Sequence, residues 1–174
     1  YVLDGLLHNE SSVEIYEHAT DTAGATETTF SMFHAFGYRL IPRIRNLGNR
    51  RLFVIDRDPA YEPLDALIAG TVNMDVVEHH WDEVLRLKAS IAAGLVPPSV
   101  ILKKLAASPR QNRLNQALRE MGRIERSIFI CDWLLDPKLR RRSHATLNKG
   151  ESRHALARAV FLHQLGELRH RVAE

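Results

Sequence analysis

The chain has 174 residues, a length typical of one globular domain, and 45% of them are hydrophobic. With 26% charged residues it has the composition of a folded protein rather than of a disordered tail. A formal net charge of +3 is too small an excess to indicate a nucleic-acid partner by itself. No apolar run approaches the roughly 18 residues of a membrane span, so we expect no membrane partner.

The first third of the chain predicts a mixture of strands and helices. Period-two alternation of apolar residues indicates strands, and apolar residues three and four apart indicate helices. The predicted elements are the end of a helix over residues 1–7, strands over 13–20, 38–44 and 51–55, and a helix over 26–36 that Gly37 terminates.

From about residue 64 the pattern is helical. Prolines at positions 59 and 63 separate this part from the strands. Asp136-Pro137 is a frequent helix opening, in which the aspartate caps and the proline takes the first helical position. The predicted helices cover residues 64–69, 76–93, 99–108 and 111–135, then one that begins at Pro137, and a last one over 149–172.

Cys131 is the only cysteine, so no internal disulfide can form. This favours a reducing cytosol, and we expect a cytoplasmic protein. Cys131 falls on the predicted apolar stripe of the helix over 111–135, which predicts a buried small side chain rather than a nucleophile.

Glu151 is the first candidate site residue. It lies three positions after Asn148, which is a good N-cap, so the two predict a capping box at the start of the last helix. Helical spacing places Glu151 on one face with Ala155 and Arg158. A carboxylate among small apolar residues is either a cap or part of a site, and local pattern favours the cap.

Asp21 is the second candidate. It ends the strand over residues 13–20 and precedes a turn of small residues. An acid at the carboxyl end of a strand can project into the crevice beyond the strand ends. Asp21 and Glu151 could then share a divalent metal, because hard cations bind carboxylate oxygens.

Five motifs, in order along the chain, resemble the Tn-three family of bacterial transposases, which are large replicative enzymes of the DDE type. The similarity runs through all 174 residues. The motifs are Thr20-Asp21-Thr22-Ala23-Gly24, Pro42-Arg43-Ile44-Arg45-Asn46-Leu47-Gly48, Pro109-Arg110-Gln111-Asn112, Gly122-Arg123-Ile124-Glu125-Arg126 and Leu147-Asn148-Lys149-Gly150-Glu151.

The resemblance implies that Asp21 is the second catalytic aspartate and Glu151 the catalytic glutamate, and that both bind Mg²⁺, with Mn²⁺ as a substitute. Nothing in the chain corresponds to the family's first aspartate. We therefore expect a late part of a longer protein, which does not catalyse alone because two acids are too few for a pair of ions.

The resemblance also implies the architecture. The fold class is α+β and predominantly α, with a partial ribonuclease-H-like core of about three short strands and a helical insertion. Residues 1–62 form the partial core with Asp21, residues 63–146 the insertion, and residues 147–174 the final helix with Glu151.

DNA at the transposon ends and at the target is the implied partner, with a homodimer as the form of the parent protein and association with the nucleoid during activity. We expect five cations to contact phosphates, because arginine and lysine supply affinity for the DNA backbone. They are Arg43, Arg45, Lys149, Arg153 and Arg158.

Two other functions stay open. A non-enzymatic helical module that binds DNA or another subunit would use its carboxylates only as caps. A stand-alone metal nuclease is the other. The helical spacing of His163, Glu167 and His170 also permits a zinc site, although no fourth ligand accompanies it.

Overall fold

The computed structural model describes residues 2–107 and 112–161, without the side chains of Asn49 and Ala106. Helices dominate, and the strands are short. In chain order the elements are α1 (Val2–Leu7), β1 (Glu17–His18), α2 (Glu27–Ala35), β2 (Arg39–Leu40), β3 (Leu52–Val54), β4 (Ile68–Thr71), α3 (Met74–His79), α4 (Trp81–Ala92), α5 (Pro98–Ala107), α6 (Arg113–Leu135) and α7 (Pro137–Val160).

The strands form two parallel pairs, β1 with β2 and β3 with β4. Helix α2 makes the crossover between β1 and β2, as a parallel pair requires. Backbone bonds extend this pair on both sides, since the N–H groups of residues 39, 41 and 43 donate to the carbonyls of residues 16, 18 and 20 at 2.8–2.9 Å. Pro42, which lacks an N–H, falls at a position that donates no bond in this ladder.

The hydrophobic core is built around the contact between α2 and α6. The helices approach so closely that a Cβ on Gly122 would lie 1.8 Å from the carbonyl oxygen of Glu27. The rings of Phe30 and Phe129 pack beside this contact with centroids 5.7 Å apart. The largest side chains buried in this core include Met32, Ile41, Leu118 and Leu139.

Several predicted elements are confirmed. Thr26 caps α2, with its hydroxyl accepting the N–H of Thr29 at 3.1 Å. Gly37 ends the helix at a positive φ of 78°, a conformation that glycine adopts without strain. Asp136 caps α7 through the N–H of Lys138, and Pro137 follows as the first helical residue. The mainly helical α+β class is as predicted.

The strand β4 was not predicted. Residues 64–69, expected to be helical, instead end a 3₁₀ segment, Pro59–Leu67, and begin β4. Pro63 lies inside the 3₁₀ segment and removes a backbone donor, which disfavours an α-helix there. The described residues therefore contain four strands, and β4 falls within the range 63–146 expected to be a helical insertion.

The predicted helix over 76–93 is two helices, α3 and α4, separated at His80. The buried face of α6 also differs from the predicted stripe. Ile128 is 52% exposed and Cys131 is exposed, whereas Gly122 and Ser127 are buried. Gly122 is buried because α2 packs directly against it, and Ser127 is buried where its hydroxyl accepts the N–H of Phe53 in β3 at 2.8 Å. An apolar pattern could reveal neither position.

The last helix begins earlier than predicted. Helix α7 runs without interruption from Pro137 to Val160, so Asn148 lies in its interior and caps nothing. The capping box of Asn148 and Glu151 is therefore wrong. The predicted end at residue 172 and the spacing of His163, Glu167 and His170 lie outside the described residues. No helix within the described ranges combines the length and apolar character needed to cross a bilayer.

Candidate active site

The ladder between β1 and β2 brings Asp21 and Arg43 to one edge. Asp21 follows the last carbonyl of the ladder, at Thr20, and Arg43 donates its backbone N–H to that carbonyl at 2.9 Å. The hydroxyl of Thr22 donates to the carbonyl of Arg43 at 2.8 Å. Hydrogen bonds to Arg43 thus hold the residues on both sides of Asp21, at the carboxyl end of the two parallel strands.

Asp21 itself is exposed and begins a 3₁₀ turn, Thr22–Gly24. One carboxylate oxygen accepts the N–H of Gly24 at 3.1 Å. Glycine at position 24 lets the turn pack against Thr20, because a Cβ there would lie 2.4 Å from the Thr20 hydroxyl oxygen and the Thr20 side chain would have to move. Asp21 is therefore a turn cap with a second oxygen, Oδ2, for which no hydrogen bond is found among the described residues.

Glu151 projects from α7, whose first half is anchored on the core. Leu139 and Ser143 are 1% and 0% exposed, and the hydroxyl of Ser143 donates to the carbonyl of Ile41 at 2.9 Å. Arg142 binds both carboxylate oxygens of Glu17 in β1, at 2.7 and 2.9 Å. Glu17 raises the pKa of Arg142 by this hydrogen bonding. Glu151 lies eight residues beyond Ser143, about 12 Å along the helix axis.

The side chain of Arg43 connects Glu151 to the Asp21 turn. The Nη2 atom of Arg43 lies 2.7 Å from Oε1 of Glu151, across 108 positions of sequence. Arg43 is largely covered, with 15% of its side chain exposed, whereas the Glu151 side chain is 61% exposed. Arg43 therefore links the two candidate acids. Its side chain binds Glu151, and its backbone is hydrogen-bonded to Thr20 and Thr22, the residues on either side of Asp21.

The other predicted DNA-binding cations lie on the surface. Arg45 is exposed just before Asn46, which adopts a left-handed conformation with φ of 53°. Lys149, Arg153 and Arg158 are all exposed on the second half of α7. No ion pair engages these four cations within the described part of the chain, so their charges are available to a ligand.

Sequence patterns alone did not reveal the contacts that dock α7. The run from Arg140 to Arg142 is typical of a solvated surface, yet Arg142 pairs with Glu17. Arg140 donates to the carbonyl of Leu134 at 2.9 Å and so satisfies the end of α6. The one signal in the sequence was the position of this run, in the first turns after the helix opening at Asp136-Pro137.

Asp21 and Glu151 offer the ligand type that magnesium and manganese prefer, which is carboxylate oxygen. Two acids are too few to hold a pair of such ions. In the residues that the structure describes, no group of three His, Cys, Asp or Glu side chains converges to hold a metal. The carboxylate oxygens of Asp21 and Glu151 are suitable ligands for a divalent ion, but these two residues are too few and further ligands are needed.

Comparison with known proteins identifies the family. A family model described as the Tn3 transposase DDE domain matches residues 1–174. The transposases for transposon Tn21 of Escherichia coli and for transposon Tn501 of Pseudomonas aeruginosa are each 55% identical to the chain over 174 residues. The transposase for transposon Tn1546 of Enterococcus faecium is 47% identical over the same length.

The match covers 100% of this chain and 18% of each of these relatives, so the chain spans less than a fifth of their length. No solved structure matches the chain. Because the family model covers every residue, including the Asp21 turn and the Glu151 helix, the chain belongs to the Tn3 transposase DDE domain family.

Proposed function

We propose that these residues belong to the catalytic domain of a DDE transposase, which cleaves DNA at transposon ends and joins the freed 3′-hydroxyl to target DNA. The observation that carries the proposal is the approach of Glu151 to the segment that holds the Asp21 turn, in a chain whose relatives are transposases. A cap role for Glu151 does not compete, because the residue lies inside α7.

In this proposal Asp21 and Glu151 are catalytic acids that bind Mg²⁺ or Mn²⁺. Such ions, when bound, activate the attacking oxygen and stabilise the leaving one. Asp21 contributes an oxygen from a turn fixed by glycine and threonine contacts. Glu151 contributes a carboxylate from an exposed helix face, where DNA has access. The third acid comes from a part of the protein outside these 174 residues, and without it we expect no catalysis.

The surface cations suit the same reaction. Lys149, Arg153 and Arg158 are exposed on the same half of α7 as Glu151, and Arg45 is exposed two residues after Arg43, so all four can attract phosphates. The partners proposed are DNA at the transposon ends and target, and a second copy of the parent protein, in a bacterial cytoplasm.

We also propose that the strands belong to a ribonuclease-H-like core. The parallel pair of β1 and β2 with its crossover helix is compatible with such a core. Residues 1–62 and the final helix then belong to the core, with the insertion between them. Because β4 pairs with β3, the insertion starts after Thr71 rather than at residue 63.

The replacement Glu151→Gln in the full-length protein tests the proposal. We expect loss of strand transfer, because glutamine has a similar size but lacks the charge that a magnesium ligand needs. The melting temperature should change little, since an exposed ion pair contributes about 0–1 kcal/mol. Strand transfer and melting are measured on the same purified protein.

Glu78→Gln, at an exposed glutamate of α3, is the matched control and should stay active. A stable Glu151→Gln protein with full strand transfer would remove Glu151 from the reaction and contradict the proposed chemistry.

A further inference from the structure

The contact between Arg43 and Glu151 joins a fixed cation to an exposed carboxylate. The backbone of Arg43 is held by the carbonyl of Thr20 and the hydroxyl of Thr22, and its side chain is 15% exposed. Glu151 lies on a stretch of α7 in which residues 151–160 are all exposed. Within the described ranges, no other side-chain hydrogen bond connects residues 144–161 to the preceding elements.

A guanidinium 2.7 Å from Oε1 already satisfies part of the charge of Glu151. A divalent ion bound by the same carboxylate would lie within a few ångströms of the guanidinium, and the two positive charges would repel each other. The arrangement thus holds Glu151 in place but opposes a metal at that oxygen.

We propose that Arg43 is a positioning residue with a stand-in role: in the absence of metal its guanidinium binds the Glu151 carboxylate in place of a divalent ion. Binding of a divalent metal would displace the guanidinium. This inference rests on the proposed function, because it takes Glu151 as a metal ligand. In the metal-free protein Arg43 ties the Glu151 stretch of α7 to the segment that is hydrogen-bonded to Thr20 and Thr22. A divalent ion bound by Glu151 would release the Arg43 guanidinium, which would then be available to a DNA phosphate.

The direction of the effect distinguishes this role from an ordinary structural ion pair. Loss of a merely structural contact would leave metal affinity unchanged or weaken it, because Glu151 would be less well placed. Loss of a competing cation strengthens metal binding. A unit charge roughly 6 Å from a divalent ion changes affinity about tenfold in a water-like dielectric, and salt screening reduces this to about threefold.

The test measures Mn²⁺ binding by the full-length protein without DNA, with electron paramagnetic resonance of the free ion. Arg43→Met removes the charge and keeps an unbranched stem to pack in the same place. We expect the dissociation constant at the Glu151 site to fall roughly three- to tenfold. Arg43→Gln serves as a second neutral variant if the methionine variant does not fold, and the same shift is expected.

Arg39→Met is the matched control. Arg39 lies in β2 on the same segment and pairs with Asp132 at 2.6 Å and with Glu17 at 3.5 Å, but not with Glu151, so its loss should leave Mn²⁺ affinity unchanged. Glu151→Gln defines the site and should abolish the binding event that Arg43 affects.

The outcomes separate the inference from the proposed function. If Glu151→Gln loses the Mn²⁺ site and the neutral Arg43 variants bind no tighter than the wild type, the metal site stands and the stand-in role is overturned. If Glu151→Gln binds Mn²⁺ as the wild type does, both fail. Tighter binding by the Arg39 variant as well would also overturn the specific role of Arg43.

Discussion

His18 lies in β1, three residues before Asp21, with its ring 5.8 Å from that of Phe33. Burial lowers the pKa of this imidazole below its usual 6.5, because the charged form is poorly solvated there. In the unfolded chain the same histidine takes up a proton near pH 6.5. Below that pH the unfolded state binds more protons than the folded state, so acid selectively stabilises the unfolded chain.

We therefore expect the free energy of unfolding to fall as pH drops below 6.5, through the window that ends at the lowered pKa of His18. Above pH 6.5 this contribution is constant. Urea unfolding of the wild type and of His18→Gln at several pH values between 5 and 8 measures it. The variant should show a shallower loss in acid, and equal slopes for the two proteins would rule out His18 as the source.

At the residue scale, sequence patterns identified the candidate acids but not what they contact. The turn after the first strand predicted Asp21 at a strand end, and the structure places it there, directly after Thr20, whose carbonyl accepts the last bond of the ladder. The partner of Glu151 could not be predicted. Arg43 is 108 positions away, and the pair forms only because Ser143 and Arg142 dock α7 on the β1–β2 edge.

At the scale of elements, two glycines in helices have opposite roles. Gly122 of α6 faces the carbonyl oxygen of Glu27, where an added Cβ would lie 1.8 Å away, so α2 and α6 would have to separate. Gly150 of α7 has no atom within 4 Å of its ideal Cβ position. Glycine inside a helix costs about 0.5–1 kcal/mol relative to alanine, so its replacement is favourable only where space permits.

We expect Gly122→Ala to lower the free energy of unfolding by about 1–3 kcal/mol or more, through overpacking. Gly150→Ala, the matched control, should raise it by about 0.5–1 kcal/mol. Chemical denaturation of both variants gives the two signs directly. A neutral or stabilising Gly122→Ala would mean that α2 and α6 pack less tightly than the structure has them.

Elements with local stop and start signals were predicted well, and elements decided by tertiary contacts were not. Thr26 and Gly37 bound α2 from within its own sequence, and Asp136-Pro137 marks the start of α7 but not its length. Asn148 looked like a helix start, but α7 continues through it. β4 depends on its pairing with β3, which no local pattern encodes.

At the scale of the whole molecule, the net charge of +3 conceals a local concentration of positive charge. Lys149, Arg153 and Arg158 are exposed on the second half of α7, beyond the anchored part of the helix. Each cation that neutralises a DNA phosphate releases a counterion, so binding weakens as salt rises.

We expect the affinity of the full-length protein for DNA to fall linearly with salt on logarithmic axes. Replacing Lys149 and Arg153 together by glutamine should reduce the slope by about two, at about 0.9 per phosphate contact. Lys88→Gln on α4 is the control and should keep the wild-type slope. Fluorescence anisotropy over a salt series measures the slopes, and an unchanged slope in the double variant would exclude both residues from the DNA interface.

The exposed position of Cys131 gives this chain a single attachment point for a spectroscopic probe. The thiol lies on α6 next to Asp132, whose carboxylate holds Arg39 of β2 at 2.6 Å. Partial burial of the sulfur and the Asp132 charge raise the thiol pKa, so coupling to a maleimide dye needs mildly alkaline buffer or longer reaction. A second dye on the exposed second half of α7, for example at position 156, would allow the distance between α6 and the Glu151 region of α7 to be measured by energy transfer. The efficiency of energy transfer between the two dyes would then show whether α7 stays docked while metal and DNA are added.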